Sequence, residues 1–116
     1  MTEADVYPLI KHLAGGRVYP YIAPQKPDGS GPAILPPWVV FSLPSGVTDD
    51  VIDGQSATAS MLQIDVYART IDEARAIRHE VRALIRPLSP VQMNEITNFE
   101  SDTSLFRALL EVQVWE

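Results

Sequence analysis

The sequence predicts an α+β domain: an antiparallel or mixed sheet with two helices packed on one face. Two stretches carry apolar residues at the helical period, and the stretches between and after them alternate apolar and polar residues as strands do. Most strand connections suit hairpins, which predicts the order α-β-β-β-α-β-β. With 116 residues, 46% apolar and 21% charged, the chain is expected to fold as a single domain over residues 1–116.

The first helix is predicted from Thr2 to Ala14, because apolar residues recur three and four positions apart on one face. These residues are Val6, Leu9, Ile10 and Leu13. Thr2 and Asp5 can form a capping box, whereas Pro8 fits only the first turn of a helix, so the helix starts at either Thr2 or Pro8. The Gly15-Gly16 pair is predicted to end it in the left-handed conformation.

Prolines dominate the segment that follows. Six of the ten prolines lie between Pro20 and Pro37, so we expect a short edge strand over Arg17–Ala23 that runs into a loop. β-branched and aromatic residues return over Trp38–Leu43, which is the second predicted strand. The polar, acidic segment Val47–Ala57 is predicted to be a long hairpin loop.

The third strand and the second helix carry the clearest patterns. Alternation over Ser60–Arg69 predicts a strand with Leu62, Ile64 and Val66 on its core face. Thr70, with Glu73 three residues later, forms a capping box that opens the second helix, and Pro87 stops it. The buried face of this helix is predicted to hold Ala74, Ile77, Val81, Leu84 and Ile85.

Two further strands complete the predicted sheet, a short one around Val91–Phe99 and a final one over Leu105–Trp115. The core face of the final strand is expected to hold Phe106, Ala108, Leu110, Val112 and Val114. The opposite face of the sheet is only half polar, since alternation places on it Met61, Tyr67, Leu105, Leu109 and Trp115. We expect that face to be covered either by loops or by another subunit.

Charge and composition exclude several classes of function. Nine basic against 15 acidic residues give a net charge of -6, which argues against nucleic-acid binding as the main role, because phosphate binding needs a basic surface. The absence of cysteine excludes disulfides and thiolate metal sites. The chain has no long apolar run and its N-terminus is acidic, so we expect a soluble protein that has no signal peptide and binds no membrane.

No residue pattern predicts catalysis. His12 and His79 lie on separate predicted helices without metal-ligand spacing, and the acidic residues near Gly54 lack the spacing of a calcium-binding EF-hand. Neither a serine nucleophile elbow nor a glycine-rich phosphate loop is present. We therefore expect no enzyme, no cofactor and no metal site.

Four arginines step by three, four and four residues along the second helix, which predicts one stripe opposite its apolar face. They are Arg75, Arg78, Arg82 and Arg86. The stripe is either a solvated helix face or a contact for an acidic surface, such as the Asp49, Asp50 and Asp53 loop of a neighbouring copy. These seven residues, with Leu105, Leu109 and Trp115 of the half-apolar sheet face, are the candidate interface residues.

Four segments, in the same order over nearly the whole chain, resemble the tail-completion proteins of long-tailed phages and prophages. This family is also known as tail terminators or tail-to-head joining proteins. The segments are GGRVYPYIAPQ, PPWVVFSLPSG, MLQIDVYARTIDEARAIRHEVRALI and DTSLFRALLEVQVW.

The resemblance implies a structural subunit without catalysis or cofactor. It implies a hexameric ring that caps the tail tube, stops tail polymerisation and presents a joining surface to the head. The implied partners are further copies of the chain, the tail-tube protein and a head-side connector protein. The implied location is the virion tail, after assembly in the cytoplasm of the bacterial host. The alternative function is that of a small monomeric ferredoxin-like domain that binds a ligand or regulates a partner.

Overall fold

The computed structural model describes residues 1–50 and 56–115, and for residues 45–50 and 56–59 it describes the backbone alone. Within these ranges the elements follow the predicted order. The helices are α1 (Glu3–Ile10) and α2 (Ile71–Leu84). The strands are β1 (Val18–Pro20), β2 (Trp38–Asp50), β3 (Ser56–Ala68), β4 (Pro90–Glu100) and β5 (Leu105–Trp115).

The strands form one five-stranded sheet in the order β1-β2-β3-β5-β4. β1 is parallel to β2, and the other three pairs are antiparallel. The sheet is therefore mixed, and the predicted α+β class is confirmed. β3 is central, since it pairs with β2 along one side and with β5 along the other.

Both helices pack on one face of the sheet and share one core. Alternating residues of β2, β3 and β5 face the helices and belong to this core. The predicted core faces of β3 and β5 are therefore confirmed. Its fully buried members include Val6, Ile10, Val39, Phe41, Leu62, Ile64, Val66, Val81, Ile85, Leu110 and Val112. Burying each of these side chains stabilises the fold by about 1.5–3 kcal/mol relative to exposure.

The two helices begin at capping residues, as predicted. The Oγ1 of Thr70 accepts a hydrogen bond from the backbone N–H of Glu73 at 3.2 Å, and α2 follows. At α1 the carboxylate of Asp5 accepts a hydrogen bond from the backbone N–H of Thr2 at 2.8 Å. Of the two predicted starts for α1, the one at Thr2 is therefore the correct one.

The predicted C-terminal end of α1 is wrong by four residues. The helix ends at Ile10, and a 3₁₀ turn at Leu13–Gly16 follows it. Left-handed backbone begins at Ala14, with φ of 51°, and continues through both glycines. The chain therefore turns toward β1 one residue before the glycine pair that was expected to turn it. Pro8 lies inside the helix, where its ring nitrogen leaves the carbonyl of Ala4 without a helical donor.

The strands around the predicted hairpin loop are longer than the sequence indicates. The predicted loop over Val47–Ala57 is wrong at both ends, because antiparallel pairing continues to Asp50 and resumes at Ser56. Every second added pair exchanges two backbone hydrogen bonds, so a polar composition does not by itself end a hairpin. The turn between these strands lies outside the described residues.

The β2–β3 hairpin extends beyond the rest of the sheet. β3 pairs with β5 only from Ala59 onward, so the residues before Ala59 pair with β2 alone. The radius of gyration is 15.4 Å, against about 13 Å for a compact chain of this length. The longest dimension of the molecule is 51 Å.

The proline-rich loop, residues 21–37, folds over one end of the other sheet face. β1 is shorter than predicted, because Tyr21 adopts a left-handed φ of 66° and turns the chain away. The loop then buries Ala23 with Trp38 and Leu105, and the Trp38 ring stacks on Tyr67 at 5.2 Å. The sequence predicts that either loops or another subunit cover this face. At this end of the sheet the cover is a loop.

We expect Thr70→Ala to lower the free energy of unfolding by about 1 kcal/mol, because the N–H of Glu73 loses its side-chain acceptor. Thr70→Ser keeps an acceptor at the same position and should change stability much less. Urea unfolding of both variants measures the difference. Equal losses in the two variants would show that the hydroxyl does not cap the helix.

Candidate subunit interface

The predicted arginine stripe is divided between the interior and the surface. Arg75 is exposed on α2, and Arg86 is exposed in a 3₁₀ turn (Arg86–Leu88) that follows the helix. No described residue pairs with either side chain. Arg78, in contrast, is only 7% exposed.

Arg78 binds the sheet beneath α2. Its Nη1 donates to the carbonyl oxygen of Ile96 and to Oγ1 of Thr97, both at 3.0 Å, and more weakly to the carbonyl oxygen of Leu109 at 3.4 Å. Its Nη2 lies 3.5 Å from Glu95. Arg82 forms a second ion pair with Glu95 at 2.9 Å. Arg78 therefore joins α2 to β4 and β5.

The prediction of a single exposed stripe is wrong at Arg78. Helical spacing puts the arginines opposite the apolar face of the helix, but β4 lies beside α2 and supplies polar partners for Arg78. A guanidinium with several donors can be buried when carbonyl and carboxylate oxygens surround it. Of the four arginines, Arg75 and Arg86 remain available for an external partner, and Arg82 is half exposed but already paired.

The acidic candidates lie toward the end of the projecting hairpin. Asp49 and Asp50 belong to β2, where they pair in register with Ala57 and Ser56. They are strand residues and not loop residues, because pairing extends farther than the sequence indicated. Asp53 lies outside the described residues.

The three apolar candidates are in different environments. Leu105 is 6% exposed, because the proline-rich loop covers it. Leu109 is 7% exposed and lies in register between Asp65 of β3 and Ile96 of β4. Trp115 is 41% exposed and pairs with Ala59 at the base of the hairpin. Of the three, Trp115 offers an apolar surface to a partner.

The sheet face opposite the helices also carries an ion pair that the sequence does not predict. Asp65 is 6% exposed and accepts hydrogen bonds from Nε of Arg107 at 2.8 Å and from Nε2 of Gln63 at 3.0 Å. Burial by itself would lower the pKa of Arg107, but the Asp65 carboxylate outweighs it and raises that pKa. Arg107 alternates in β5 with the core residues Phe106 and Ala108, but only the register of β3 against β5 brings its charge to Asp65.

β4 forms an open edge of the sheet with exposed apolar side chains. Among the described residues its strand neighbour is β5 alone. Val91, Ile96 and Phe99 are 57%, 46% and 54% exposed. The sequence showed the strand but not that it lies at the edge, because strand order depends on long-range pairing.

A groove of about 570 Å³ lies where the proline-rich loop faces the turn before β5. Ile34, Trp38 and Leu105 give it apolar walls, and Lys26 and Arg69 line it with charge. Its volume is in the range of small-molecule sites. The alternative prediction, a monomeric ligand-binding domain, requires a ligand site. This groove is the candidate for that site.

The described residues contain no cluster of histidine and acidic side chains that could hold a metal ion. His12 and His79 are both exposed. No helix among the described residues is long and apolar enough to cross a membrane.

A family model for tail completion protein gp17 matches residues 7–116. The chain belongs to this family. Curated proteins, in contrast, contain no match to the sequence. Family membership gives the chain a structural role in the phage tail and a place in the virion tail, where it contacts other tail or head components.

Membership in the tail completion family covers the whole sheet and both candidate patches. The matched residues include α2 with its arginines, the hairpin strands with Asp49 and Asp50, and the exposed edge β4. These surfaces are therefore part of the family domain and not of an added segment.

We expect Arg78→Ala to lower the free energy of unfolding by about 2–3 kcal/mol, because buried carbonyl groups and Glu95 lose a charged donor. Arg75→Ala, an exposed arginine on the same helix, is the matched control and should stay within about 0.5 kcal/mol of the parent. Thermal or urea unfolding measures both. Equal small losses would mean that Arg78 does not hold α2 on the sheet.

We expect the free energy of unfolding to fall at high pH because the Tyr67 side chain ionises. Burial, with the nearby charges of Asp65 and Glu100, raises the pKa of Tyr67 from 10 to about 12. The folded state keeps the phenol proton above pH 10 while the unfolded state releases it, so this stabilisation is complete below pH 10 and is lost toward pH 12. Urea unfolding at pH 9, 10 and 11 should show a shallower decline for Tyr67→Phe. Identical declines would contradict the assignment.

Proposed function

We propose that the protein caps the phage tail tube as a homo-hexameric ring, which terminates tail polymerisation and forms the joining surface between tail and head. The family match over residues 7–116 carries the proposal. The partners are further copies of the chain, the tail-tube protein and a head-side connector protein. The ring is part of the virion tail and assembles from subunits in the cytoplasm of the bacterial host.

Unlike charges on separate parts of the subunit support a ring. Arg75 and Arg86 are exposed and unpaired among the described residues, and Asp49 and Asp50 lie on the projecting hairpin. A contact between unlike patches of two copies is head-to-tail, and repetition of such a contact closes a ring when the rotation allows it. Asp53 belongs to the same acidic segment by its sequence position.

The shape of the subunit supports the same arrangement. In the part of the hairpin beyond Ala59, β2 and β3 have only each other as strand neighbours among the described residues. Trp115, at the base of that hairpin, adds an exposed aromatic surface of the kind enriched at protein interfaces. A neighbouring subunit or the tail-tube protein would bury both.

Light scattering after size-exclusion chromatography tests the ring. A hexamer of 12.8 kDa subunits has a mass of about 77 kDa. We expect this mass for the protein alone or after addition of the tail-tube protein, and we expect tubes assembled with it to be shorter than tubes assembled without it. A protein that stays monomeric in both conditions and leaves tube length unchanged would contradict the proposal and favour ligand binding at the groove.

Charge reversal tests the two patches. Arg75→Glu with Arg86→Glu should weaken assembly about tenfold or more near 0.1 M salt, because the acidic hairpin then meets a surface of like charge. Adding Asp49→Lys with Asp50→Lys to this variant should restore assembly. Lys11→Glu with Lys26→Glu makes the same change in net charge on other exposed sites and is the control. Equal weakening in the control would assign the effect to net charge. Weakening without rescue would contradict a contact between these two patches.

A further inference from the structure

We infer that neighbouring subunits join edge to edge, with β4 of one copy adding as a strand to the distal part of β2 of the next copy. This inference rests on the proposed ring and names its contact. The interface is then a continuous sheet across the subunit boundary, in which backbone hydrogen bonds supply much of the contact.

β4 has the properties of a strand that accepts a partner. It is 11 residues long, and among the described residues one of its two sides is unpaired. Natural edges are usually protected by short length, lysine, proline or a bulge. In β4 the proline and the irregular pairing are confined to Pro90–Gln92, and the remainder to Glu100 pairs regularly with β5 and contains no lysine or proline.

The side chains of β4 favour association over solvation. Ile96 and Phe99 are about half exposed on this edge. Glu95, the acidic residue near the middle of the strand, is already neutralised by Arg78 and Arg82. A neighbouring strand would therefore cover apolar surface without desolvating an unpaired carboxylate at the centre of the contact.

A second copy of the chain carries a matching open edge. β1 pairs with β2 only along Val39–Phe41. From Ser42 to Asp50, the backbone of β2 therefore has β3 as its one strand neighbour among the described residues. Pro44 lies in this stretch, at the irregularity between Ser42 and Ser45. Because proline has no backbone N–H to donate, it is typical of edge strands and bulges. The open stretch and β4 are of similar length.

Strand direction decides how two copies meet. The order β2-β3-β5-β4 contains four strands that alternate in direction. Because four is even, β4 of one copy and β2 of a copy in the same orientation run antiparallel. Copies related by rotation about one axis keep their orientation, so the alternation continues around a ring.

The antiparallel direction also brings the unlike charges to the same end of the contact. The C-terminal end of β2, with Asp49 and Asp50, would lie beside the N-terminal end of β4 in the neighbouring copy. Arg86 precedes β4 by four residues and is exposed there. The reverse, parallel arrangement would place these acids toward Glu100. Charge complementarity therefore favours a second copy in the antiparallel direction.

Cysteine cross-linking tests the contact without background, since the chain contains no cysteine. Asn94→Cys or Asn98→Cys, both at exposed positions on β4, is combined with a single cysteine at each position from 42 to 50. Facing residues in antiparallel strands lie at a separation that a disulfide can bridge. We expect at least one pair to give, on oxidation of the assembled protein, a ladder of covalent oligomers up to six subunits.

Two controls make the result specific. Each single-cysteine variant can form at most a covalent dimer, and Asn94→Cys with His12→Cys places the second thiol on an exposed site near α1, where we expect no ladder. If light scattering shows the ring but no β4–β2 pair gives a ladder, the edge contact is overturned and the ring proposal stands. If no variant and no parent protein forms a ring with or without tail-tube protein, the proposed function fails first.

Discussion

β3 is hydrogen-bonded to β2 along one side and to β5 along the other, and this double pairing sets the position of every other element. Its residues Leu62, Ile64 and Val66 form the floor on which both helices pack. On the opposite face, the same register brings Asp65 to Arg107, so β3 supplies core residues on one face and the acid of a partly buried ion pair on the other. A shift of one residue would exchange these two faces, which makes the register strongly determined.

The two faces of the sheet are stabilised in different ways. The helix side is closed by apolar packing and, at its margin, by Arg78, which joins α2 to β4 through carbonyl and carboxylate oxygens. The opposite side is closed at one end by the proline-rich loop over Trp38 and Leu105. Neither the core on the helix side nor the proline-rich loop on the other side includes the edge of β4 or the projecting hairpin. The described part of the chain therefore combines a closed core with strand edges that lack a strand neighbour.

Membership in the tail completion family is consistent with this division between a closed core and open edges. A structural protein of the tail has to fold and to contact other tail or head components. The core residues account for the folding. Arg75, Arg86, Trp115 and the edge of β4 lie outside that core.

The sequence by itself determined the element types, their order, the core faces of β3 and β5 and the start of α2, because these follow from local periodicity and capping. It also carried the family resemblance, since four segments are in the right order. Tertiary structure alone decided the burial of Arg78 and Leu109, the length of the hairpin, the early end of α1 and the position of β4 at the edge. These features depend on which strands become neighbours, and pairing between residues far apart in the chain leaves no periodic pattern in the sequence.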